Sequence, residues 1–321
     1  MKGKVFSGFK QYMIFPIFIA LIIIFSIMSP AFFAVGNAMN IIRQISMMGI
    51  VTVGFTFVLI GGGLDLSVGS QIAIMNIIIC YLIINAGVNP ILALIIGIAF
   101  TTLIGTFNGF IISKTGIPSL IATLAMQIAL RGAAFVISDG YPMYGIPDYL
   151  KTIGQGNLFG VFPIPGLIMI VVIVFGTILL SKTYIGRHFY ALGSNEEALR
   201  LTGVDTHFTR ILTYALLGFL TGIAGVVMLC RTGSGQPNIA NSFEMDVLTA
   251  AVLGGVSVNG GKGNIMGAII GAAIIGVLNN GMSIMGANDY WQQIIKGIVL
   301  LAVVVFDSFG RSGKKESKAG E

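Results

Sequence analysis

The sequence predicts an all-α polytopic membrane protein with about ten transmembrane helices. Composition is the first reason. Only 9% of the 321 residues are charged and 55% are hydrophobic, whereas a soluble domain carries about 25% charged residues. A mean hydropathy of +0.95 says the same. Run length is the second. Met13–Ala31 and Phe162–Leu180 contain no charge at all, and an all-round apolar helix is at home only in lipid or protein. The third is period. These runs do not alternate apolar and polar residues, as the strands of a membrane barrel must.

A helix needs about 20 apolar residues to cross the hydrocarbon core. Segments of that kind fall near 13–34, 41–61, 69–87, 90–112, 117–137, 162–181, 209–230, 245–258, 264–283 and 289–308. The first is too long for the hydrophobic region of a cleaved signal peptide and reads as a retained span. The eighth is short and glycine-rich, the pattern of a broken or re-entrant helix.

Charge placement orients the set. With both termini cytoplasmic, 13 of the 18 basic residues fall on cytoplasmic segments, as the positive-inside rule requires. Arg43, Arg131, Lys151, Arg231 and Lys296 remain external or embedded, and long basic side chains such as Arg131 and Lys296 can snorkel to an interface. The net charge of +6 is thereby assigned to the membrane, not to nucleic acid. Residues 1–309 read as one transmembrane domain, and 310–321 as a disordered basic cytoplasmic tail. The longer connections are an external one at 138–161 and a cytoplasmic one at 182–208.

Cys80 and Cys230 sit in apolar runs and read as small buried hydrophobes. With only two histidines no metal cluster is expected, and no catalytic residue or cofactor is assigned.

Three segments stand out. In 186–210, Ser194 and Glu197 have capping-box spacing and Gly203 suits a helix end. They bracket a cytoplasmic helix of about eight residues, with Asn195, Glu196 and Arg200 exposed and Ala198, Leu199 and Leu201 apolar contacts. Such a helix either docks in a partner's groove or merely covers a loop. In 61–70, GGGLDLSVGS, Asp65 is the only charge between Arg43 and Lys114. An acid at that depth is a functional candidate. It can also cap the next helix, pair with a base or sit at the interface; Ser67 and Gly69 share its motif. In 254–264, GGVSVNGGKGN, the phosphate-loop pattern fails, because Val256 replaces its first glycine and Gly263 its Ser/Thr. Gly260 and Gly261 instead break a helix or allow close packing, and Gly267, Gly271, Ala272 and Gly276 continue that pattern.

Embedded polar residues, chiefly Asn76, Asn108, Gln127, Asn279 and Asn280, either line a solute path or bond neighbouring helices. Tyr290 and Trp291 offer aromatic faces.

These segments, with IATLAMQIALRG at 121–132 and TAAVLGGVSVNGGKGNIMGAIIGAAIIGVLNNGM at 249–282, lie in an order and spacing that resembles the permeases of the ribose, xylose and arabinose class of bacterial ABC importers. The resemblance spans nearly the whole chain. It implies an inner-membrane subunit translocating a small sugar, driven by separate ABC ATPase subunits and supplied by a periplasmic or lipoprotein solute-binding protein. A second permease copy, or a paralogous permease, completes the pathway. Asn195, Glu196, Glu197, Arg200 and Gly203 then look like the element coupling to the ATPase. Two rivals remain: an ion-driven secondary transporter, for which Asp65 is the clear buried acid, and an intramembrane enzyme, for which no constellation is assembled.

Overall fold

The computed structural model describes residues 16, 18–288, 290–302 and 305. Helices dominate it: α1 (Phe18–Met28), α2 (Val35–Ile60), α3 (Val68–Ile84), α4 (Pro90–Thr115), α5 (Ser119–Ile137), α6 (Asp148–Gln155), α7 (Ile164–Lys182), α8 (Tyr184–Ser194), α9 (Glu196–Leu201), α10 (Thr206–Thr232), α11 (Phe243–Leu253) and α12 (Ile265–Ile284). A further helix, α13, covers 290–302. Among the described residues, six of these (α2, α4, α5, α7, α10 and α12) are long and apolar enough to cross a membrane. Shorter apolar helices, α1 and α3, join them. Among the described residues, each apolar segment expected from the sequence contains a helix.

The core is built around α2, whose residues from Ser46 to Ile60 are all buried. It can be apolar all round because α7, α10, α11 and α12 surround it. The peripheral helices keep apolar residues on the outside instead: Ile128 on α5 and Val171 on α7 are exposed. Lipid is the solvent that tolerates such a surface.

Helices α4 and α10 touch through facing small-residue motifs, Gly105–Gly109 on one and Gly218–Gly222 on the other. A Cβ at Gly109 would lie 2.8 Å from the Ile211 Cα, and one at Gly218 3.1 Å from the Thr102 Cα. Small residues four apart allow this approach, a signal present in the sequence but overlooked there. Gly267 and Gly271 do pack α12 on α11, as expected.

At one end of the bundle lie the connections 61–67, 115–119, 182–206 and 254–264. They are tied by Gly261 N–H donating to the Ile60 carbonyl at 2.8 Å, Tyr190 Oη to the Gly263 carbonyl at 2.7 Å and Leu64 N–H to Ser119 Oγ at 3.1 Å. The opposite end carries more order than a plain loop over 138–161. Helix α6 packs on α10, and four two-residue strands form two antiparallel pairs: β1 (Met143–Tyr144) with β4 (Ser234–Gly235), and β2 (Asn157–Leu158) with β3 (Phe162–Pro163). The tail 310–321 lies outside the described residues.

Helix α11 has 11 residues, about 16 Å at 1.5 Å per residue. It is too short to cross alone, as the glycine-rich sequence led us to expect. The loop before it holds two non-glycine residues in the left-handed region, Ala240 (φ 55°) and Ser242 (φ 59°).

Candidate functional site

Asp65 is fully buried. Its Oδ1 accepts from the Ser67 N–H at 2.8 Å and the Ser67 hydroxyl at 2.6 Å. Asn108 Nδ2 donates to Asp65 Oδ2 at 3.2 Å and to Ser67 Oγ at 3.1 Å, and Gln71 joins at 2.9 Å. The carboxylate thus closes the turn that starts α3, within a ring of neutral donors; no basic residue reaches it in the described structure. Helix α5 holds the same turn, with Thr123 Oγ1 accepting from Leu66 N–H at 3.2 Å.

About two turns further along, α5 grips the loop before α11, whose Ala240 carbonyl also faces Gly69 on the first turn of α3. Arg131 donates from Nη1 to the carbonyls of Pro237 (2.9 Å) and Ile239 (2.7 Å) and from Nη2 to that of Ala240 (3.4 Å). Gln127 Nε2 donates to Glu244 Oε1 at 2.8 Å. Arg131 therefore turns inward instead of snorkelling, because carbonyls freed by the left-handed turn need donors. Arg131→Lys keeps the charge but not the fork. We expect it to cost about 1–3 kcal/mol, read as a lower unfolding temperature of the purified chain in detergent, with insertion retained.

Next to this loop α11 and α13 frame an open polar cleft of about 570 Å³, reached by Asn238, Asn241, Ser242, Asp246, Gln293 and Lys296. Lys296 Nζ donates to Asp246 Oδ2 at 2.7 Å, and Asn279 Nδ2 reaches the same oxygen at 3.4 Å. Lys296 too is paired, not snorkelled. The sequence reading left Glu244 and Asp246 out, although both are buried. One acid inside the predicted span 245–258 and another just before it were signal enough. Tyr290 and Trp291 are exposed and do not line the cleft. Of the other polar candidates, Asn280 exchanges hydrogen bonds with Asn37 at 2.9 and 3.0 Å. Asn76 is fully buried, and both its side-chain polar atoms lack a partner among the described residues.

The 182–208 segment folds into α8 and α9. The helix start differs from the expected capping box. Ser194 ends α8, and the N-cap of α9 is Asn195, whose Oδ1 accepts from Ala198 N–H at 3.0 Å. The helix has six residues, not about eight. Thr202 caps its end, and Gly203 follows at φ +85°. Only Leu199 is buried; Ala198 and Leu201 are exposed, Leu201 at 79%. Glu197 pairs with Arg200 at 2.7 Å, and Glu196 with Arg210 at the start of α10. The hydrogen bond from Arg200, and then its charge, hold the Glu197 carboxyl below the ordinary carboxylate range. That pairing is present above the unfolded carboxylate pKa and is lost as pH falls through the folded one. Beside α9 a groove of about 330 Å³ runs between α8 and the start of α10, floored by Phe189 and rimmed by Tyr184 and Phe208. No group of three or more metal-ligating side chains occurs among the described residues.

A helical bundle too apolar for water, with six helices long enough to span a bilayer, defines a polytopic membrane protein. The chain belongs to the family described as branched-chain amino acid transport system / permease component, which it matches over residues 37–304. It is 39% identical over 289 residues to the ribose import permease of Bacillus subtilis, covering 89% of each chain. Against the ribose import permease of Escherichia coli K12 the identity is 39% over 294 residues, 90% of this chain and 91% of the relative. The L-arabinose transport system permease of the same organism is 37% identical over 306 residues, 95% and 92% of the two chains. No solved structure is a significant match. The chain is therefore a multi-pass protein of a cell membrane and a transport permease.

Proposed function

We propose that this chain is the membrane-spanning permease subunit of an ATP-binding-cassette importer that takes up a small sugar of the pentose kind. The observation carrying the reading is similarity to ribose and arabinose permeases over about nine-tenths of both partners. On this reading about ten segments enter the membrane, α13 as a span and α11 as a broken or re-entrant helix, and both termini are cytoplasmic. The end bearing α8 and α9 is then the inner one, which places Lys114, Lys182, Arg187, Arg200, Arg210 and Lys262 inside.

Separate ATPase subunits supply the energy and an extracytoplasmic solute-binding protein delivers the sugar. A second permease copy or a paralogue shares the pathway. Helix α9 meets the ATPase through Asn195, Glu196, Glu197, Arg200 and Gly203. Two features support this role: Glu197, Arg200 and Leu201 are exposed to solvent, and the half-exposed Glu196 pairs with Arg210 and ties the helix to α10. Gly260 and Gly261, packed on Gly62 and α8, and Asp65, Ser67 and Gly69, at the start of α3, are the gating and structural elements through which its motion reaches the core. Asn76, Asn108, Gln127, Asn279 and Asn280 lie along or behind the solute path.

The test is reconstitution with the cognate ATPase and binding protein in vesicles. Wild type takes up D-ribose only with ATP. Glu197→Lys abolishes that uptake while inserting normally. Asn195→Ala removes the cap, costing about 1 kcal/mol, and lowers uptake in part. Concentrative uptake driven by an ion gradient, without ATP or partners, defeats the reading in favour of a secondary transporter.

A further inference from the structure

We propose that the cleft between α11 and α13 is the binding site for a neutral, polyhydroxylated solute, held by Asn238, Asn241 and Gln293 around the Asp246–Lys296 pair. The proposal rests on the permease reading and adds to it a place and a chemistry.

Polar side chains at this depth are costly and are kept where a cavity needs them. Here they converge. Asn238, Asn241 and Gln293 stand exposed at the rim, with Ser242 behind them. The cleft volume of about 570 Å³ lies in the usual range of small-molecule sites, roughly 300–1,000 Å³, and admits a monosaccharide with some water. Backbone geometry points the same way. Ala240 and Ser242 are held in a conformation that side chains rarely adopt, and such strain concentrates where a ligand must be met. Three Arg131 contacts and the Gln127–Glu244 bond keep that loop in shape.

The class of ligand follows from the donor set. Each carboxamide both donates and accepts, as each sugar hydroxyl does. The ion pair at 2.7 Å is mutually neutralised, so among the described residues the cleft carries no spare cation for a phosphate or carboxylate and no spare anion for an amine. A zwitterionic amino acid would have to prise the pair apart; a polyol can bridge it by donating to Asp246 and accepting from Lys296.

The experiment uses the assembled importer, with its ATPase and binding protein, in vesicles. Asn241→Cys is labelled with a thiol-specific methanethiosulfonate reagent; the two native cysteines are buried and give little background. D-ribose should slow the labelling several-fold and L-leucine should not. Separately, Asn238→Ala and Gln293→Ala should each lower D-ribose uptake by about tenfold, the worth of one or two lost hydrogen bonds, with normal expression. Wild-type uptake in both variants overturns the cleft, as does labelling that D-ribose leaves unchanged. Protection by L-leucine instead overturns the polyhydroxyl class. Absence of ATP-driven uptake by the wild-type importer is a different failure and overturns the permease reading itself.

Discussion

Replacing Gly193 with alanine should leave little folded protein. Gly193 lies near the end of α8, where the chain crosses the tightest junction at that end of the bundle. A Cβ there would fall inside the Ile60 carbonyl oxygen, 2.7 Å from Gly261 N and 3.0 Å from Gly62 N. All three are backbone atoms, so no rotamer change gives relief. The Ile60 carbonyl is also the acceptor of the Gly261 N–H bond at 2.8 Å, which ties α2 to the loop before α12. Alanine favours the helix by up to about 1 kcal/mol. Against that stand overpacking, about 1–3 kcal/mol, and a stranded buried donor or acceptor, about 1–3 kcal/mol. The clash wins, by about 1–5 kcal/mol. Size-exclusion profiles and unfolding temperatures in detergent should show aggregated or strongly destabilised protein. Gly132→Ala on α5 is the control. Nothing lies within 4 Å of its Cβ position, so it should be neutral or slightly stabilising. A Gly193→Ala protein as stable as this control would show that the junction is not tight.

That junction has a functional consequence. It is where α8, leading to α9, meets Gly62 and the Gly260–Gly263 loop. The loop continues into α12 and follows α11, the helix that carries Asp246. Close-packed backbone is stiff and moves as a unit. On the proposed function, a displacement of α9 by the ATPase would travel through this contact to the loop between α11 and α12.

How much of this was legible in the sequence depended on range. The spans could be read because lipid imposes length and apolarity on each segment separately, and α11 could be read as short because its glycine flanks are local. The start of α9 was misplaced by one residue. Ser194 and Asn195 are both good caps, and only the packing of α8 decides that Ser194 finishes that helix. The outward face of Leu201 was missed for the same reason, since a helix of six residues shows no reliable period. The cleft needed more. Asp246 and Lys296 are 50 positions apart, and nothing local says that they meet. Arg131 was likewise read alone, when its partners are three carbonyls more than 100 residues away.

The second large effect should come from splitting the Asp246–Lys296 pair. The two side chains are 11% and 25% exposed, so water does little to screen a charge left alone. Lys296→Met should cost about 3–5 kcal/mol, because it leaves an uncompensated carboxylate; the Asn279 bond at 3.4 Å is too long to make up the loss. Asp246→Asn leaves the ammonium and should cost a similar amount. The double variant Asp246→Asn/Lys296→Gln removes both charges and keeps hydrogen-bonding groups, so stability should return to near wild type, a coupling energy of a few kcal/mol in a double-mutant cycle. Transport separates the two roles of the pair. If it only braced α11 against α13, the double variant would recover uptake along with its fold. If it faces the solute, uptake of D-ribose stays low in a protein that is stable again. Thermal unfolding of all four proteins, set beside uptake by the reconstituted importer, reads both quantities, and equal recovery of stability and uptake would assign the pair to bracing alone.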